Sequence, residues 1–192
     1  MADIQFRCVG ASNHTDTERA KDDYYATDPR AIDYLLSGGA KLSHNLWECA
    51  CGEGHLSKRL ENLGYNVTST DIAYRGFGTG GIDFLKQDKV FEGDIITNPP
   101  FNKGFEFVEH ALLLVNKGSR VFMFLKLCFL EGQKRRKLFD SGQLKTVYVS
   151  SKRMSCATNG DFSKFKSSSA IAYAWFEFEK GFNGDPIIKW IN

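Results

Sequence analysis

Short strand-like segments alternate with helical segments along most of the chain, and this alternation is the feature that most constrains the fold. Apolar residues at helical spacing predict helices over residues 29–37, 55–63, 105–116 and 131–139. Short apolar or alternating runs predict strands over residues 45–49, 65–71, 94–97, 120–125 and 144–150. Because strands separated by helices pair in parallel, we expect an α/β fold: a mostly parallel twisted sheet with helices on both faces.

The C-terminal part predicts an antiparallel edge to this sheet. Residues 170–179 and 187–191 have the pattern of two strands, and turn-forming residues between them, 181–186, predict a hairpin. The first 23 residues are polar and aperiodic, which predicts a flexible arm before a single domain over residues 24–192. A length of 192 residues fits one domain.

Composition and spacing argue against several classes of protein. The longest apolar stretch, residues 121–130, is interrupted by Lys126 and is shorter than the roughly 18 residues of a membrane span. The N-terminus lacks the apolar segment of a signal peptide. Five irregularly spaced cysteines and four scattered histidines form neither a disulfide framework nor a zinc motif. We therefore expect a reduced cytoplasmic protein, without a membrane segment or a metal ion.

A glycine-containing turn and three carboxylates indicate a ligand crevice. Gly52 and Gly54 stand where a predicted strand turns into a helix, which allows close backbone approach to a nucleotide-like ligand but also fits an ordinary tight turn. Asp71 ends the next strand, where it suits ribose hydroxyls, and Asp83 follows further along. With Glu48 they would converge on one crevice and disfavour a pyrophosphate. Asp83 also fits a solvated loop carboxylate or an N-cap.

Residues 98–101, Asn-Pro-Pro-Phe, follow another predicted strand. Two successive prolines fix the backbone and remove two N–H donors, so carbonyl groups at the strand end remain as acceptors. The side-chain oxygen of Asn98 and the carbonyl of Pro99 can together accept both hydrogens of an exocyclic amino group, and Phe101 can stack on the ring that carries it. The alternative is a rigid strand exit with Phe101 in the core.

The order of these motifs resembles the S-adenosylmethionine-dependent methyltransferases of the Rossmann-like class I fold, and within it the DNA adenine-N6 methyltransferases. The similarity runs from Tyr25 to about Phe178. It implies S-adenosyl-L-methionine as cofactor, S-adenosyl-L-homocysteine as product, and Asn98, Pro99, Pro100 and Phe101 as the catalytic residues. It also implies a compact phage or solitary enzyme of bacterial or phage-infected cells, of the restriction-modification type without a separate recognition domain. Loops, a partner subunit or an oligomer would then supply target recognition.

The resemblance also assigns the cofactor-binding residues. They are Tyr25, Thr27, Glu48, Cys49, Ala50, Gly52, Gly54, Asp71, Ile72, Asp83, Phe84 and Asn98. Gly52 and Gly54 would line the methionine moiety, and Glu48 would support the loop or meet the amino group. Asp71 would bind the ribose hydroxyls, and Asp83 with its neighbour would lie beside the adenine. The segment containing Tyr25 and Thr27 departs from the family pattern, because Asp28 is inserted into the usual Thr-Pro.

Basic and aromatic residues in the last third of the chain suit a nucleic acid. The candidate contacts are Lys134, Arg135, Arg136, Lys152, Arg153, Phe162, Lys164 and Lys166. A base within a duplex would have to be flipped out to reach the crevice. The alternatives are a solvated basic helix and a solvated loop over residues 154–169 with two buried phenylalanines.

Four hypotheses of function follow. The leading one is transfer of a methyl group from S-adenosylmethionine to the N6 amine of adenine in DNA. Because Phe101 replaces the commoner Tyr or Trp and no recognition domain follows, an RNA base methyltransferase acting on adenine N6 or guanine N2 is the second. Protein glutamine methylation and a non-catalytic S-adenosylmethionine-binding accessory subunit are the others.

Overall fold

The computed structural model describes residues 26–152, 154, 156–157 and 171–192. The predicted N-terminal arm and Tyr25 lie outside these residues. In chain order the elements are β1 (Ala26–Thr27), α1 (Arg30–Ser37), β2 (Asn45–Glu48), α2 (His55–Asn62), β3 (Asn66–Ser69), β4 (Asp94–Thr97), α3 (Gly104–Leu114), β5 (Arg120–Lys126), α4 (Arg136–Asp140), β6 (Leu144–Ser150), β7 (Cys156–Ala157), β8 (Tyr173–Glu179) and β9 (Ile187–Ile191). Short 3-10 helices lie at Phe84–Lys86, Phe101–Lys103, Leu127–Leu130 and Gln133–Arg135.

Seven of the strands form one sheet in the order β3-β2-β4-β5-β8-β6-β9. The pairs β2–β3, β2–β4, β4–β5 and β6–β9 are parallel, whereas β8 runs antiparallel to β5 and β6. The carboxyl ends of β2, β3, β4, β5 and β6 therefore meet at one edge, together with the first residue of β8. The predicted mostly parallel sheet with an antiparallel strand is confirmed.

The predicted pairing of residues 170–179 with residues 187–191 is wrong in one respect, because β6 lies between β8 and β9. β8 is buried along almost its whole length, as a central strand is, while β9 is largely exposed at the sheet edge. β5 and β6 occupy both hydrogen-bonding edges of β8, so β9 pairs instead with the outer edge of β6. Turn residues fix a reversal of direction but not which neighbour the next strand reaches.

The helix predicted over residues 131–139 is also shorter than expected. Gly132 has a φ of 112°, outside the helical region, and a 3-10 turn at Gln133–Arg135 precedes the five-residue α4. By contrast, α1 begins at Arg30, within one residue of the predicted start. Asp28 Oδ1 accepts a hydrogen bond from the Arg30 N–H at 2.9 Å, the N-cap interaction expected before a proline in the first turn.

Two hydrophobic clusters cover the two faces of the sheet. Along β5, Val121, Met123 and Leu125 point to the cluster that includes α3, whereas Phe122 and Phe124 point to the cluster that includes α1 and α2. Because both faces of β5 are buried, its sequence is a continuous apolar run. Within the described parts of the chain, no helix has the length and apolarity needed to cross a bilayer.

Candidate active site

A cleft lies at the carboxyl edge of the sheet, beside the ends of β2, β3 and β4. The space within it, with the open solvent at its mouth included, is about 820 Å³. Its lining residues are Ala26, Thr27, Glu48, Cys49, Ala50, Cys51, His55, Leu56, Asp71, Ile72, Arg75, Ile82, Asp83, Phe84, Leu85, Asn98, Pro99, Pro100, Phe101, Lys103 and Phe107. Most residues proposed from the sequence for cofactor binding and catalysis thus come together in one place.

The two glycines lie in the turn between β2 and α2, next to the cleft-lining Cys51. Gly52 and Gly54 have φ values of 55° and 78°, a conformation that L side chains rarely adopt. A Cβ on Gly54 would lie 2.2 Å from the ring of Phe77, so this glycine makes room for a neighbouring loop. The cleft wall beside them consists of Cys49, Ala50 and Cys51, which is not the direct lining by Gly52 and Gly54 that the resemblance implied.

Glu48 is a buried carboxyl group at the end of β2. Its side chain accepts a hydrogen bond from Ser57 Oγ, and this hydroxyl also lies 2.7 Å from Ser69 Oγ. Burial raises the pKa of Glu48 to about 8, and the nearby charge of Asp71 acts in the same direction, while the Ser57 hydrogen bond acts against them. Glu48 is therefore mostly protonated at neutral pH and would ionise readily beside a cation.

Asp71 is held by the backbone around it. Oδ2 accepts a hydrogen bond from the Gly52 N–H at 2.8 Å, and Oδ1 accepts one from the Ala73 N–H at 2.9 Å. The first bond ties the loop after β3 to the glycine turn. A carboxylate has about four acceptor sites, so this orientation is compatible with two further bonds from a diol.

Asp83 caps the 3-10 helix Phe84–Lys86 and also lines the cleft. Its Oδ1 accepts a hydrogen bond from the Leu85 N–H at 3.2 Å, and its Oδ2 lies 3.4 Å from Lys86 Nζ. The following Phe84 is only 2 % exposed and packs edge-on against Trp47, with ring centroids 5.3 Å apart. Phe84 is thus mainly a core residue whose surface closes the cleft.

The Asn-Pro-Pro-Phe motif follows β4 at the centre of the cleft. Asn98 Nδ2 donates a hydrogen bond to Thr27 Oγ1 at 2.8 Å, which leaves Oδ1 as the acceptor end of this amide. The Phe101 ring packs 5.5 Å from that of Tyr173, and Lys126 Nζ lies 4.9 Å from the Phe101 centroid. Phe101 therefore packs partly against the core and also lines the cleft.

Several cleft residues were not predicted from the sequence. Lys103, the last residue of the 3-10 helix that contains Phe101, lines the cleft. Lys126 is not a lining residue but lies over the Phe101 ring; as the last residue of β5, it is the one that a rule selecting polar residues at strand ends would have found. Arg75 and His55 also line the cleft but belong to no sequence motif that would have indicated it. The His55 side chain pairs with Glu53, with Nε2 3.0 Å from Oε2.

The basic residues predicted to bind nucleic acid divide into two groups. Lys134 is exposed, whereas Arg135 Nε donates to the Glu131 carbonyl at 2.9 Å and Arg136 pairs with Asp140 at 2.6 Å. Lys152 is exposed just after β6, at the same sheet edge as the cleft. The remaining candidates lie outside the described residues: Arg153, Phe162, Lys164 and Lys166.

No metal site emerges from the described side chains. Among them, no group of three or more His, Cys, Asp or Glu residues is arranged to hold a metal ion. Burial raises the pKa of the Cys51 thiol to about 12 and that of Cys49 above its usual range as well. Both thiols therefore stay protonated and act as small packing groups in the cleft wall.

Comparison with solved structures identifies the fold. A Listeria monocytogenes protein assigned to the class I S-adenosylmethionine-dependent methyltransferases matches with a TM-score of 0.58 at 13 % identity, over 89 % of this chain and 65 % of that one. A Vibrio vulnificus protein assigned as the modification subunit of a type I restriction enzyme gives 0.55 at 13 %, over 85 % and 45 %. The 23S rRNA methyltransferase ErmE gives 0.52 at 15 %, over 84 % and 71 %.

The Listeria neighbour is the one assigned to class I, and the fold of this chain is the Rossmann-like fold of that class. This chain spans less than two thirds of the Listeria protein and less than half of the Vibrio protein. No protein-family model matches the chain, and no curated protein matches it.

Proposed function

We propose that this chain, built on the class I methyltransferase fold, transfers a methyl group from S-adenosylmethionine to the N6 amine of adenine in DNA. One observation carries the proposal. The Asn98 amide lies in the same cleft as the Pro99–Pro100 turn, and its nitrogen donates a hydrogen bond to Thr27. Three carboxyl groups line that cleft as well, those of Glu48, Asp71 and Asp83.

The polar groups of the cleft fit the cofactor in chemical type. The buried Glu48 suits the α-ammonium group of the methionine moiety, since a cation would favour its ionised form. Asp71 suits the ribose hydroxyls, and Asp83 suits the adenine amino group. Ile72 is 54 % exposed at the cleft and offers an apolar surface for the adenine ring. When bound, the cofactor would supply a strongly electrophilic methyl group on its sulfonium sulfur.

The protein's task in this reaction is to aim a lone pair. The lone pair of an aromatic amine is delocalised into its ring. If Asn98 Oδ1 and the Pro99 carbonyl accept its two hydrogens, the nitrogen tends towards a tetrahedral form whose lone pair faces the methyl group. When bound, the cofactor would give up its methyl group to this nitrogen and leave as S-adenosylhomocysteine, and the amine held by Asn98 and Pro99 would lose one proton to water. The buried thiols Cys49 and Cys51 have no role in this scheme.

The target base would enter beside Phe101. A base in duplex DNA cannot reach the cleft without leaving the stack, so we expect it to be flipped out and packed against this ring. Lys103 lines the cleft and Lys126 Nζ lies over the Phe101 ring, so both cations suit the phosphates that flank the target base. The Vibrio neighbour, assigned as a restriction-modification subunit, favours DNA, whereas ErmE acts on 23S rRNA. RNA is therefore the alternative outcome of the test.

The test is label transfer from methyl-tritiated S-adenosylmethionine to unmethylated genomic DNA, total RNA and a protein extract, followed by nucleoside analysis of the labelled pool. We expect label in DNA as N6-methyladenine. Loss of one preorganised acceptor in Asn98→Ala should lower the rate by about 10²- to 10³-fold. The exposed Asn116, at the far end of α3, provides the matched control, and Asn116→Ala should leave transfer unchanged.

The result also separates the competing functions. Label in RNA alone would support the RNA base methyltransferase and contradict the proposal. Label in protein alone would indicate glutamine methylation. Tight binding of S-adenosylhomocysteine without transfer to any pool, by both the unmodified chain and Asn98→Ala, would identify a non-catalytic accessory subunit.

A further inference from the structure

A side-chain hydrogen bond joins the start of the described chain to the Asn-Pro-Pro-Phe motif. Thr27 is only 4 % exposed, and its Oγ1 accepts a hydrogen bond from Asn98 Nδ2 at 2.8 Å. The backbone of Thr27 is fixed on both sides, because it pairs with Cys156 in the β1–β7 ladder and precedes Asp28, the N-cap of α1. The hydroxyl oxygen therefore has a defined position beside the amide.

The two ends of an asparagine amide have the same shape but opposite hydrogen-bonding character. Rotation of the Asn98 amide by half a turn would exchange Oδ1 for the NH2 group. An NH2 group directed at the target amine would meet another donor and could not accept its hydrogen. The chemistry proposed for Asn98 thus requires one orientation, which is the observed one, with Nδ2 donating to Thr27 Oγ1. A hydroxyl can also donate, so this bond fixes the place and plane of the amide rather than rejecting the rotated form.

We propose that Thr27 is a positioning residue for Asn98: the hydrogen bond to its hydroxyl anchors the amide in the cleft, in the place from which Oδ1 can reach the target amine. The inference rests on the proposed function, since it concerns the acceptor role of Asn98. It gives Thr27 a different task from the cofactor contact that the sequence resemblance implies, and the two can be separated experimentally. A cofactor contact acts on cofactor affinity, whereas a positioning residue acts on turnover.

Two substitutions distinguish the roles. Thr27→Val keeps the shape of the side chain but removes the acceptor, while Thr27→Ser keeps the hydroxyl. We expect Thr27→Val to lower kcat about 10- to 100-fold, from the loss of one buried hydrogen bond, without a change in the Kd of S-adenosylhomocysteine measured by calorimetry. Thr27→Ser should remain within about threefold of the unmodified chain, because its hydroxyl can make the same bond.

A second readout does not depend on turnover. In ¹⁵N-edited NMR spectra, the side-chain NH2 pair of Asn98 can be identified as the pair that disappears in Asn98→Asp. In Thr27→Val this pair should shift and exchange faster with water, and in Thr27→Ser it should stay close to its original position. If Thr27→Val does not fold, as judged by circular dichroism, Thr27→Ala removes the same acceptor without adding bulk.

The outcomes are distinct. The inference is overturned if Thr27→Val retains full kcat, if its main effect is a higher Kd for S-adenosylhomocysteine, if Thr27→Ser is as impaired as Thr27→Val, or if the Asn98 NH2 pair does not respond. Failure of the proposed function has another signature, since the unmodified chain itself would then transfer no label to DNA.

Discussion

The buried carboxyl group of Glu48 should make the stability of the protein depend on pH in a way that one substitution removes. Burial raises the pKa of Glu48 from 4.5 to about 8, so the folded state binds this proton more tightly than the unfolded state does. The contribution of protonated Glu48 to the free energy of unfolding is therefore complete below about pH 4.5, and it is lost as the pH rises towards 8. One pKa unit corresponds to about 1.4 kcal/mol, so ionised Glu48 costs the fold about 5 kcal/mol above pH 8.

Glu48→Gln retains the shape of the side chain and a hydrogen-bond acceptor for Ser57, but it cannot ionise. Whatever fixed offset the substitution brings, the difference in unfolding free energy between Glu48→Gln and the unmodified chain should change by about 4 kcal/mol between pH 5 and pH 9, in favour of the variant. Urea unfolding at pH 5, 7 and 9 measures this difference directly. Glu92 is exposed, and Glu92→Gln is the matched control, for which the difference should stay nearly constant.

A flat difference for Glu48→Gln from pH 5 to pH 9 would refute the reasoning, because it would mean that the folded and unfolded states bind this proton equally. The same shift predicts a linked effect on cofactor binding. If an ammonium group pairs with Glu48, the carboxyl group must release most of a proton at pH 7 when S-adenosylhomocysteine binds. Calorimetry in buffers with different ionisation enthalpies would detect that proton, and it should be absent in Glu48→Gln.

Four further substitutions test the local geometry. Gly54→Ala should lower the free energy of unfolding by at least about 1–2 kcal/mol, because residue 54 has a positive φ and a Cβ there would clash with the Phe77 ring. Phe77→Ala should remove the clash, so the effects of the two substitutions in urea unfolding should not add; strict additivity would contradict this explanation. The amide of Asp71→Asn has one oxygen and can accept only one of the two backbone hydrogen bonds, so the free energy of unfolding should fall by about 1–3 kcal/mol. S-adenosylhomocysteine should also bind more weakly in calorimetry. An unchanged unfolding free energy together with an unchanged Kd would contradict this prediction. Tyr148→Phe removes the hydroxyl that donates a hydrogen bond to the buried Glu177, so the free energy of unfolding in urea should fall by about 1–3 kcal/mol. An unchanged value would mean that this hydrogen bond makes no net contribution to stability.

The parts of the fold that follow from local patterns were predictable from the sequence. Parallel strands place their carboxyl ends at one edge, so Glu48, Asp71 and Asn98 could be expected in one cleft once the strands were identified. The N-cap at Asp28 also followed from a local rule, since a capping residue before a proline is a short-range signal.

The features that were not predictable depend on contacts between distant segments. Nothing near β8 in the sequence indicates that β6, rather than β9, occupies its second edge. The positive φ of Gly54 suits a ligand approach or a packed ring equally well, and only the fold shows that the ring of Phe77 takes the space. The basic run suggested free phosphate contacts at Arg136, but its pairing with Asp140 reduces the charge available there.

The β1–β7 ladder, which positions Thr27, has a consequence for the folding of the protein. It contains two residue pairs and joins segments that are far apart in the sequence, so closing it costs chain entropy and gains few backbone hydrogen bonds. Such elements form late in folding and open locally before the rest of the structure unfolds. If the chain performs the proposed methyl transfer, its turnover should therefore decline on warming well before the seven-stranded sheet melts. The upper temperature of activity would then depend on this two-residue ladder rather than on the hydrophobic core.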